Sequence, residues 1–251
     1  MDIYTVMRTN RLPYSPIVWV FLLGMMLAFP AESSAQKDST ATPRTRHFSF
    51  GITAGMDRNY HVVDMSYMSD MKFDNYRTGY VYGVKIGYAP QQWLSFNIGA
   101  VMIQKNYHMD HVFRYYNLFY SLPTTTTNEY INVPLDMKLS IGRVVKIHAF
   151  GGIYGGYWLK SHRKGVTYSF SNDRECPFDE DVEFNEKRDN RIDKGFTWGA
   201  GISGKILGRI EVGAEVRWFY GTEDIQKPYM LNLNPRYNTT IAIQAGLSYW
   251  L

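Results

Sequence analysis

Residues 239–251 alternate between two kinds of side chain at every second position. Successive side chains of a β-strand point to opposite faces, so this period of two predicts a strand with one apolar and one compact face. The apolar face carries Ile241, Ile243, Ala245, Leu247, Tyr249 and Leu251, whereas the compact face carries Ala242, Gln244, Gly246, Ser248 and Trp250. The segment therefore predicts a strand with one face toward an apolar environment and the other toward a closely packed interior.

Seven further segments repeat this alternation. Each has about ten to sixteen residues, which is long enough for a tilted strand that crosses a membrane. In chain order the eight predicted strands lie around residues 47–57, 78–89, 93–106, 129–140, 144–160, 194–206, 210–220 and 239–251.

The connections between these segments are short and long in strict alternation. Short turns are predicted at 90–92, 141–143 and 207–208, and long loops at about 58–77, 107–128, 161–193 and 221–238. This alternation is typical of outer-membrane barrels, with turns on the periplasmic side and loops outside. The predicted fold is all-β: an eight-stranded antiparallel up-and-down transmembrane β-barrel with both termini in the periplasm.

The charged residues of the strands decide which face is inside. A soluble lipocalin-like cup would point its apolar face inward, but an eight-stranded lumen has room only for side chains and cannot hold all this bulk. Charges on a lipid face would each cost about 2–4 kcal/mol near the midplane. We therefore predict a luminal charged network on the compact face, with His148 packed beside it: Lys85, Asp136, Lys138, Lys146, Lys205, Glu211, Glu215 and Arg217.

Composition agrees with a barrel and excludes other classes. With 45% hydrophobic residues and a mean hydropathy of −0.30, the chain does not suit a helical membrane bundle. Tyr and Trp, of which there are 20 and 6, favour membrane interfaces. The net charge of +4 shows no basic block, so no nucleic-acid partner is expected. The single cysteine, Cys176, excludes an internal disulfide and is interpreted as a passive loop residue.

The first 46 residues predict export. A thirteen-residue apolar run at 17–29 follows Arg8 and Arg11 and precedes small residues that end at Ala35. This is typical of a cleaved secretory signal peptide, and an uncleaved anchor is the weaker alternative because the run is short for a membrane span. We predict a signal peptide over 1–35, cleavage between Ala35 and Gln36, a flexible periplasmic lead-in over 36–46 and the barrel over 47–251.

Four stretches resemble the PorT-like family of outer-membrane barrels. They are NEYINVPL at 128–135, GGIYGGY at 151–157, DKGFTWGAGISG at 193–204 and VGAEVRWFY at 212–220, and the resemblance covers about residues 47–251. The resemblance implies the barrel fold and supplies no catalytic residues. The family includes components linked to type IX protein secretion. The ending Trp250-Leu251 departs from the final Phe usual in such barrels.

Candidate chemistry outside the lumen is sparse. The sequence His108-Met109-Asp110-His111 has metal-ligand residue types, but a zinc site needs further ligands and a solvated loop is the preferred interpretation. His61, Asp64, Ser66, His162 and Ser169 fit an enzyme by residue type only. We expect no catalytic residue, no cofactor and no metal. The candidate partner-contact loop is tyrosine-rich, with Tyr107, Tyr115, Tyr116 and Tyr120 as its named members, and packing of this loop across the barrel mouth is the preferred alternative.

The sequence thus predicts a non-enzymatic barrel in the outer membrane. It would be an accessory of type IX secretion or a surface-exposed structural barrel. A lipid-modifying enzyme or a narrow small-solute pore is the alternative. Expected partners are outer-membrane lipids with lipopolysaccharide, the barrel-assembly machinery during insertion, and proteins that contact the long outer loops.

Overall fold

A computed structural model describes residues 47–63, 71–74, 77–115, 118–169, 174–225, 227 and 236–251. The predicted signal peptide, its cleavage site at Ala35 and Gln36, and the lead-in lie outside these residues. The described part contains eleven strands and no helix that is long and apolar enough to cross a membrane. The strands are β1 (Phe48–Val63), β2 (Met71–Asp74), β3 (Arg77–Tyr88), β4 (Leu94–Gln104), β5 (Tyr107–Tyr115), β6 (Leu118–Ile141), β7 (Val145–Ser169), β8 (Arg174–Asp181), β9 (Ile192–Leu207), β10 (Ile210–Gly221) and β11 (Arg236–Trp250).

Eight of these strands form a closed antiparallel ring, in the order β1-β3-β4-β6-β7-β9-β10-β11. The first and last strands pair from Ser49 opposite Trp250 to Val63 opposite Arg236. Strands β6 and β7 complete the circle. The predicted all-β barrel is confirmed, with the predicted eight strands in the ring.

Three further strands lie outside the ring and extend one side of it. Strand β5 pairs with the outer part of β6, β2 pairs with β5, and β8 pairs with the outer part of β7. Together with the outer ends of β6 and β7 they form the outer wall, a sheet in the order β2-β5-β6-β7-β8. Its edge strand β8 contains Pro177, which has no N–H to offer to a further strand.

Several of the predicted long loops contain strands. Strand β1 continues to Val63, and residues 107–128 and 161–193 contain most of the outer wall. Cys176 lies in β8 rather than in a loop, and its side chain is half-buried. The sequence of the wall lacks the alternation of bulky apolar residues that marks the ring strands, and β-branched runs such as the threonines at 124–127 support strand structure instead.

The two faces of the ring differ as predicted. On β1 the side chain of Ile52 is 60% exposed on the outside, whereas that of Thr53 is 7% exposed inside. Aromatic pairs lie near the ends of the outward face, such as Phe48 with Tyr88, whose ring centroids are 5.0 Å apart, and Trp198 with Tyr220 at 6.2 Å. The outward face is thus a band of aliphatic residues bordered by aromatic ones, which matches a bilayer and its interfaces.

The short turns lie at the predicted positions and two of them require glycine. Gly142, between β6 and β7, has φ +124°, and Gly208, between β9 and β10, has φ +50°. Residues with a Cβ rarely adopt these backbone angles. All three short turns connect strands at the end of the ring opposite the outer wall.

A charge placed on the outward face should destabilise the barrel according to its depth. We expect Ile52→Arg, near the middle of the aliphatic band, to lower the free energy of unfolding by about 2–4 kcal/mol. The matched variant Ile141→Arg lies beside the periplasmic turn and should cost only about 0–1 kcal/mol. Equilibrium unfolding from lipid vesicles measures both, and equal losses would contradict the assigned membrane position.

Candidate functional site

The lumen is filled by three layers of polar and aromatic side chains. We call them the inner layer, nearest the short turns, the middle layer, and the outer layer, nearest the outer wall. Glycines make the space for them: a Cβ at Gly199 would lie 2.5 Å from Cζ of Phe150, and one at Gly201 would lie 2.7 Å from Nε2 of His148. Large side chains of β7 therefore lie over glycines of the adjacent β9.

The middle layer is built around Arg217 of β10. Its Nη1 donates to Oδ2 of Asp136 at 2.9 Å, and its Nη2 donates to Oε1 of Glu215 at 3.2 Å. The other carboxylate oxygen of Asp136 accepts from Nδ2 of Asn97 at 2.9 Å, and the guanidinium lies 4.2 Å from the ring centre of Phe150. Strands β6 and β10 are not neighbours in the ring, so the Asp136–Arg217 ion pair is a strut across the lumen.

The outer layer is built around Asp193, at the start of β9. Its carboxylate forms an ion pair with Lys105 and accepts hydrogen bonds at 3.2 Å from both the Tyr154 hydroxyl and Nδ2 of Asn238. Lys105 is fully buried, and its Nζ lies 4.5 Å from the ring centre of Tyr130. Burying an ion is costly unless it is paired and hydrogen-bonded, and here five chain segments supply the partners.

Aromatic rings cover the outer layer. Trp158 stacks on Tyr130 with 5.7 Å between ring centroids, and Phe184, from the segment after β8, packs edge-on against Trp158 at 4.9 Å. Phe219 is fully buried and packs edge-on against Tyr154 at 5.2 Å. These rings belong to one apolar cluster of buried residues inside the described barrel, with Phe184 packed against it.

The inner layer involves the last residues of the chain. Nε1 of Trp250 donates to Oε2 of Glu211 at 3.0 Å, and Nζ of Lys205 lies 5.8 Å from the centre of the Trp250 ring. The tryptophan of the unusual ending thus points inward as a luminal side chain, while Tyr249 faces outward. Two small cavities of about 30 Å³ and about 20 Å³ lie between the inner and middle layers, both lined by Thr53, Lys85, Lys138 and Glu215. Each has room for a few waters at most.

Comparison with known proteins decides the family. The family described as outer membrane protein beta-barrel domain matches residues 34–227, more than half of the chain. This chain belongs to that family. As a member of the family it is a protein of the outer membrane. A search of curated proteins finds no match.

Several solved outer-membrane barrels are similar to this chain at low sequence identity. Ail, the attachment invasion locus protein of Yersinia pestis, is 13% identical over 81% of this chain and 99% of its own, with a TM-score of 0.39. The outer membrane protease OmpT from Escherichia coli is 10% identical over 86% and 99%, with a TM-score of 0.47. Neisserial surface protein A is 11% identical over 80% and 97%, with a TM-score of 0.41.

In this outer-membrane barrel the predicted charged positions fall into the inner and middle layers. Asp136, Glu211 and Arg217 are buried, as is His148, whose Nε2 lies 3.9 Å from Oε2 of Glu215. Lys205 differs, because it is exposed at the inner rim. The other residues of the predicted charged network lie at partly buried luminal positions: Lys85, Lys138, Lys146 and Glu215.

Sequence reasoning missed the outer layer. Lys105 and Asp193 lie at the ends of predicted strands, where the alternation of side chains assigns them no role. A signal for them existed, since Lys105 continues the compact-face positions Val101 and Ile103, and Asp193 continues that of Thr197.

The candidate metal cluster and tyrosine loop lie in the outer wall. Nδ1 of His108 is 2.8 Å from Oγ1 of Thr125, and its Nε2 is 3.4 Å from Oδ1 of Asp110. The described residues contain no group of three or more His, Cys, Asp or Glu arranged to hold a metal ion. Tyr107 begins β5, whereas Tyr116 and the side chains of Tyr115 and Tyr120 lie outside the described part.

His162 joins β7 to the edge strand β8 of the outer wall. Its Nδ1 lies 2.8 Å from Oδ1 of Asp181, and its Nε2 lies 2.7 Å from Oδ1 of Asp179. Two carboxylates can both be satisfied only when both ring nitrogens carry protons. The hydrogen bond to Asp181, followed by that to Asp179, raises the pKa of His162 above its usual value of 6.5.

Removing one end of the middle-layer strut should be costly. We expect Asp136→Ala to lower the free energy of unfolding by about 3–5 kcal/mol, because it leaves the buried guanidinium of Arg217 with Glu215 as its one carboxylate partner. Lys164→Ala removes an exposed ion pair with Asp179 and should cost less than about 1 kcal/mol. Urea unfolding from vesicles gives both values. If Asp136→Ala costs no more than Lys164→Ala, the strut does not stabilise the barrel.

The β7–β8 pairing should weaken as pH rises. Because the pKa of His162 is higher in the folded state, its stabilising effect is complete below the unfolded pKa of about 6.5 and is lost as pH rises through the folded pKa. NMR titration of the imidazole should give a midpoint above 6.5 that falls in Asp181→Asn. Glu175→Gln, on the same strand, should leave the midpoint unchanged. An unchanged midpoint in Asp181→Asn would refute the assignment.

Proposed function

We propose that this barrel is a non-enzymatic, non-conducting anchor that presents its outer wall to a protein partner at the cell surface. The observation that supports this is the contrast between a filled lumen and strands that continue far beyond the ring. The resemblance to PorT-like barrels favours type IX protein secretion as the setting, with the chain as an accessory component.

The filled lumen supports a role without solute passage. Two ion pairs cross the lumen in the middle and outer layers, Arg217–Asp136 and Lys105–Asp193. The cavities between the inner and middle layers hold only about 30 and 20 Å³, well below the roughly 300–1,000 Å³ of typical small-molecule sites. Neither a pore nor a luminal substrate site is needed to explain this arrangement.

The outer wall supports a role in protein contact. The outward surface of the ring is an apolar band that suits lipid. A protein partner in water would therefore contact the outer wall and the segments next to it. In the β5–β6 hairpin the sequence 107–120 contains six aromatic residues, and aromatic residues are enriched in protein interfaces. We assign the partner contact to this hairpin, with the tyrosine-rich sequence 107–120 at its centre.

Two matched truncations test this assignment. Replacing residues 110–123 by Asn-Gly joins Met109 to Thr124, which are opposite each other in β5 and β6, through a two-residue turn. Replacing residues 165–178 in the same way joins Lys164 to Asp179 in β7 and β8 and removes an equal length. Proteins cross-linked to the tagged full-length chain in native membranes are then compared among the three forms.

We expect the β5–β6 truncation to lose the main cross-linked protein and the β7–β8 truncation to keep it. Heat-modifiable migration in detergent gels checks that each ring is folded. Retention of the same partner by both truncations would refute the assignment to the β5–β6 hairpin. Absence of any cross-linked secretion component from the full-length chain would refute the secretion role. Single-channel steps in planar bilayers with the full-length chain would refute the non-conducting role.

A further inference from the structure

Lys85 of β3 places its ammonium group beside both small cavities of the lumen. The side chain passes over Gly51 of β1, where a Cβ would lie 3.2 Å from its Cε, and reaches Gly246 of β11, where a Cβ would lie 3.3 Å from its Nζ. The charge is therefore two strands away from its own backbone, at cavities that Lys85 lines. No carboxylate oxygen of the described residues lies within 4.0 Å of this nitrogen.

Lys138 of β6 lines the same two cavities. Strand β6 is separated from β3 by β4 in the ring, so the two lysines approach the cavities from different strands. The ammonium group of Lys138 also has no carboxylate of the described residues within 4.0 Å. Two like charges that line one space repel each other, and a charge taken out of water normally requires a partner.

The carboxylates that line these cavities are already bound by other donors. Asp136 and Glu215 both form ion pairs with Arg217, at 2.9 and 3.2 Å. Glu211 accepts a hydrogen bond from Nε1 of Trp250 at 3.0 Å. The two lysines are therefore the cations of the cavities whose counter-charge is missing.

A charge count of the inner and middle layers gives the same result. They contain four cationic side chains within the lumen and three carboxylates, so one positive charge is left over: Lys85, Lys138, Lys146 and Arg217 against Asp136, Glu211 and Glu215. Lys205 lies at the exposed inner rim and is not counted. A proton on His148 would increase the excess. One monovalent anion would balance this part of the lumen.

The size of the cavities limits what that anion can be. Their volumes are about 30 and 20 Å³, whereas one water requires roughly 10–15 Å³. A monatomic anion is only slightly larger than a water molecule and fits this space. Sulfate, phosphate and organic carboxylates have several heavy atoms and do not fit.

We propose that Lys85 and Lys138 bind one chloride ion in the space between the inner and middle layers. Each ammonium group carries three N–H donors, and neither is directed to a carboxylate of the described residues. The ion neutralises the leftover charge of the lumen and separates the two lysines electrostatically. This site is independent of the partner contact at the outer wall.

Bromide, which has the same charge and scatters X-rays anomalously, locates the site directly. The full-length barrel is refolded in detergent and crystallised in NaBr. We expect one bromide peak in the lumen, within hydrogen-bond distance of Nζ of both Lys85 and Lys138.

Thermal unfolding of the same refolded protein measures the affinity. We expect NaCl and NaBr to raise the unfolding midpoint in a saturable way, and sodium gluconate of equal ionic strength to have no such effect. Lys85→Met, which keeps the length of the side chain, should raise the half-saturating chloride concentration at least about tenfold because one of two charges is lost. Lys138→Met should do the same.

Lys164→Met is the matched control, because it removes an exposed lysine of the outer wall. It should keep the chloride dependence of the wild type. Heat-modifiable migration identifies any variant that fails to fold, and either luminal variant suffices if the other is lost.

The proposal is overturned if no bromide peak lies at the two lysines. Ordered waters there without anomalous signal would mean that the lysines are hydrated or uncharged, and would overturn it in the same way. Unchanged chloride dependence in Lys85→Met or Lys138→Met, or equal stabilisation by gluconate, would also overturn it, since the effect of salt would then be general.

Discussion

The ion pair of Arg217 with Asp136 across the lumen is the interaction on which the rest of the barrel depends. The outer surface of the ring faces hydrocarbon, so every charge of the membrane strands must be inside. An eight-stranded ring is too narrow to hold those charges in water. Binding one another offsets the cost of burying them, and the strut, with Glu215 and Phe150 around it, joins β10 to β6 across the lumen.

The same narrowness explains the distribution of glycine. Phe150 and His148 need the space above Gly199 and Gly201, and that space exists because the neighbouring strand has no side chain there. Large side chains on one strand are therefore paired with glycines on the adjacent strand. The barrel interior is close-packed, like the core of a soluble protein. Its apolar members lie toward the outer end, where Trp158, Phe219 and Tyr154 cover the buried ion pair of Lys105.

The ring could be predicted from the sequence because lipid imposes a period of two on every strand that it contacts. Ile52 and Thr53 differ so strongly in character that the face of β1 is evident without coordinates. Beyond the membrane this constraint ends, so β5 and β8 were expected as loops although they are strands. In the lumen, the alternation of side chains along each strand identifies Arg217 and Asp136 as inward-facing. The pairing of Lys105 with Asp193 depends on the closeness of β4 and β9 in three dimensions, which no local sequence pattern contains.

The pairing of β1 with β11 has a consequence for the order of assembly. It joins the first strand of the ring to the last, and Gln244 of β11 accepts a hydrogen bond from Thr53 of β1 across this seam. Until the seam closes, a strand edge with unpaired backbone groups would face hydrocarbon, which lipid does not tolerate. Strands β6, β7, β9 and β10 are consecutive in the ring, so a curved sheet of these four strands already brings Asp136 and Arg217 to the same side of the seam. The edges of β1 and β11 have no such neighbours, and their backbone groups are satisfied only when these two strands pair. Closure of the backbone at the seam is therefore a separate requirement from pairing of the charges inside.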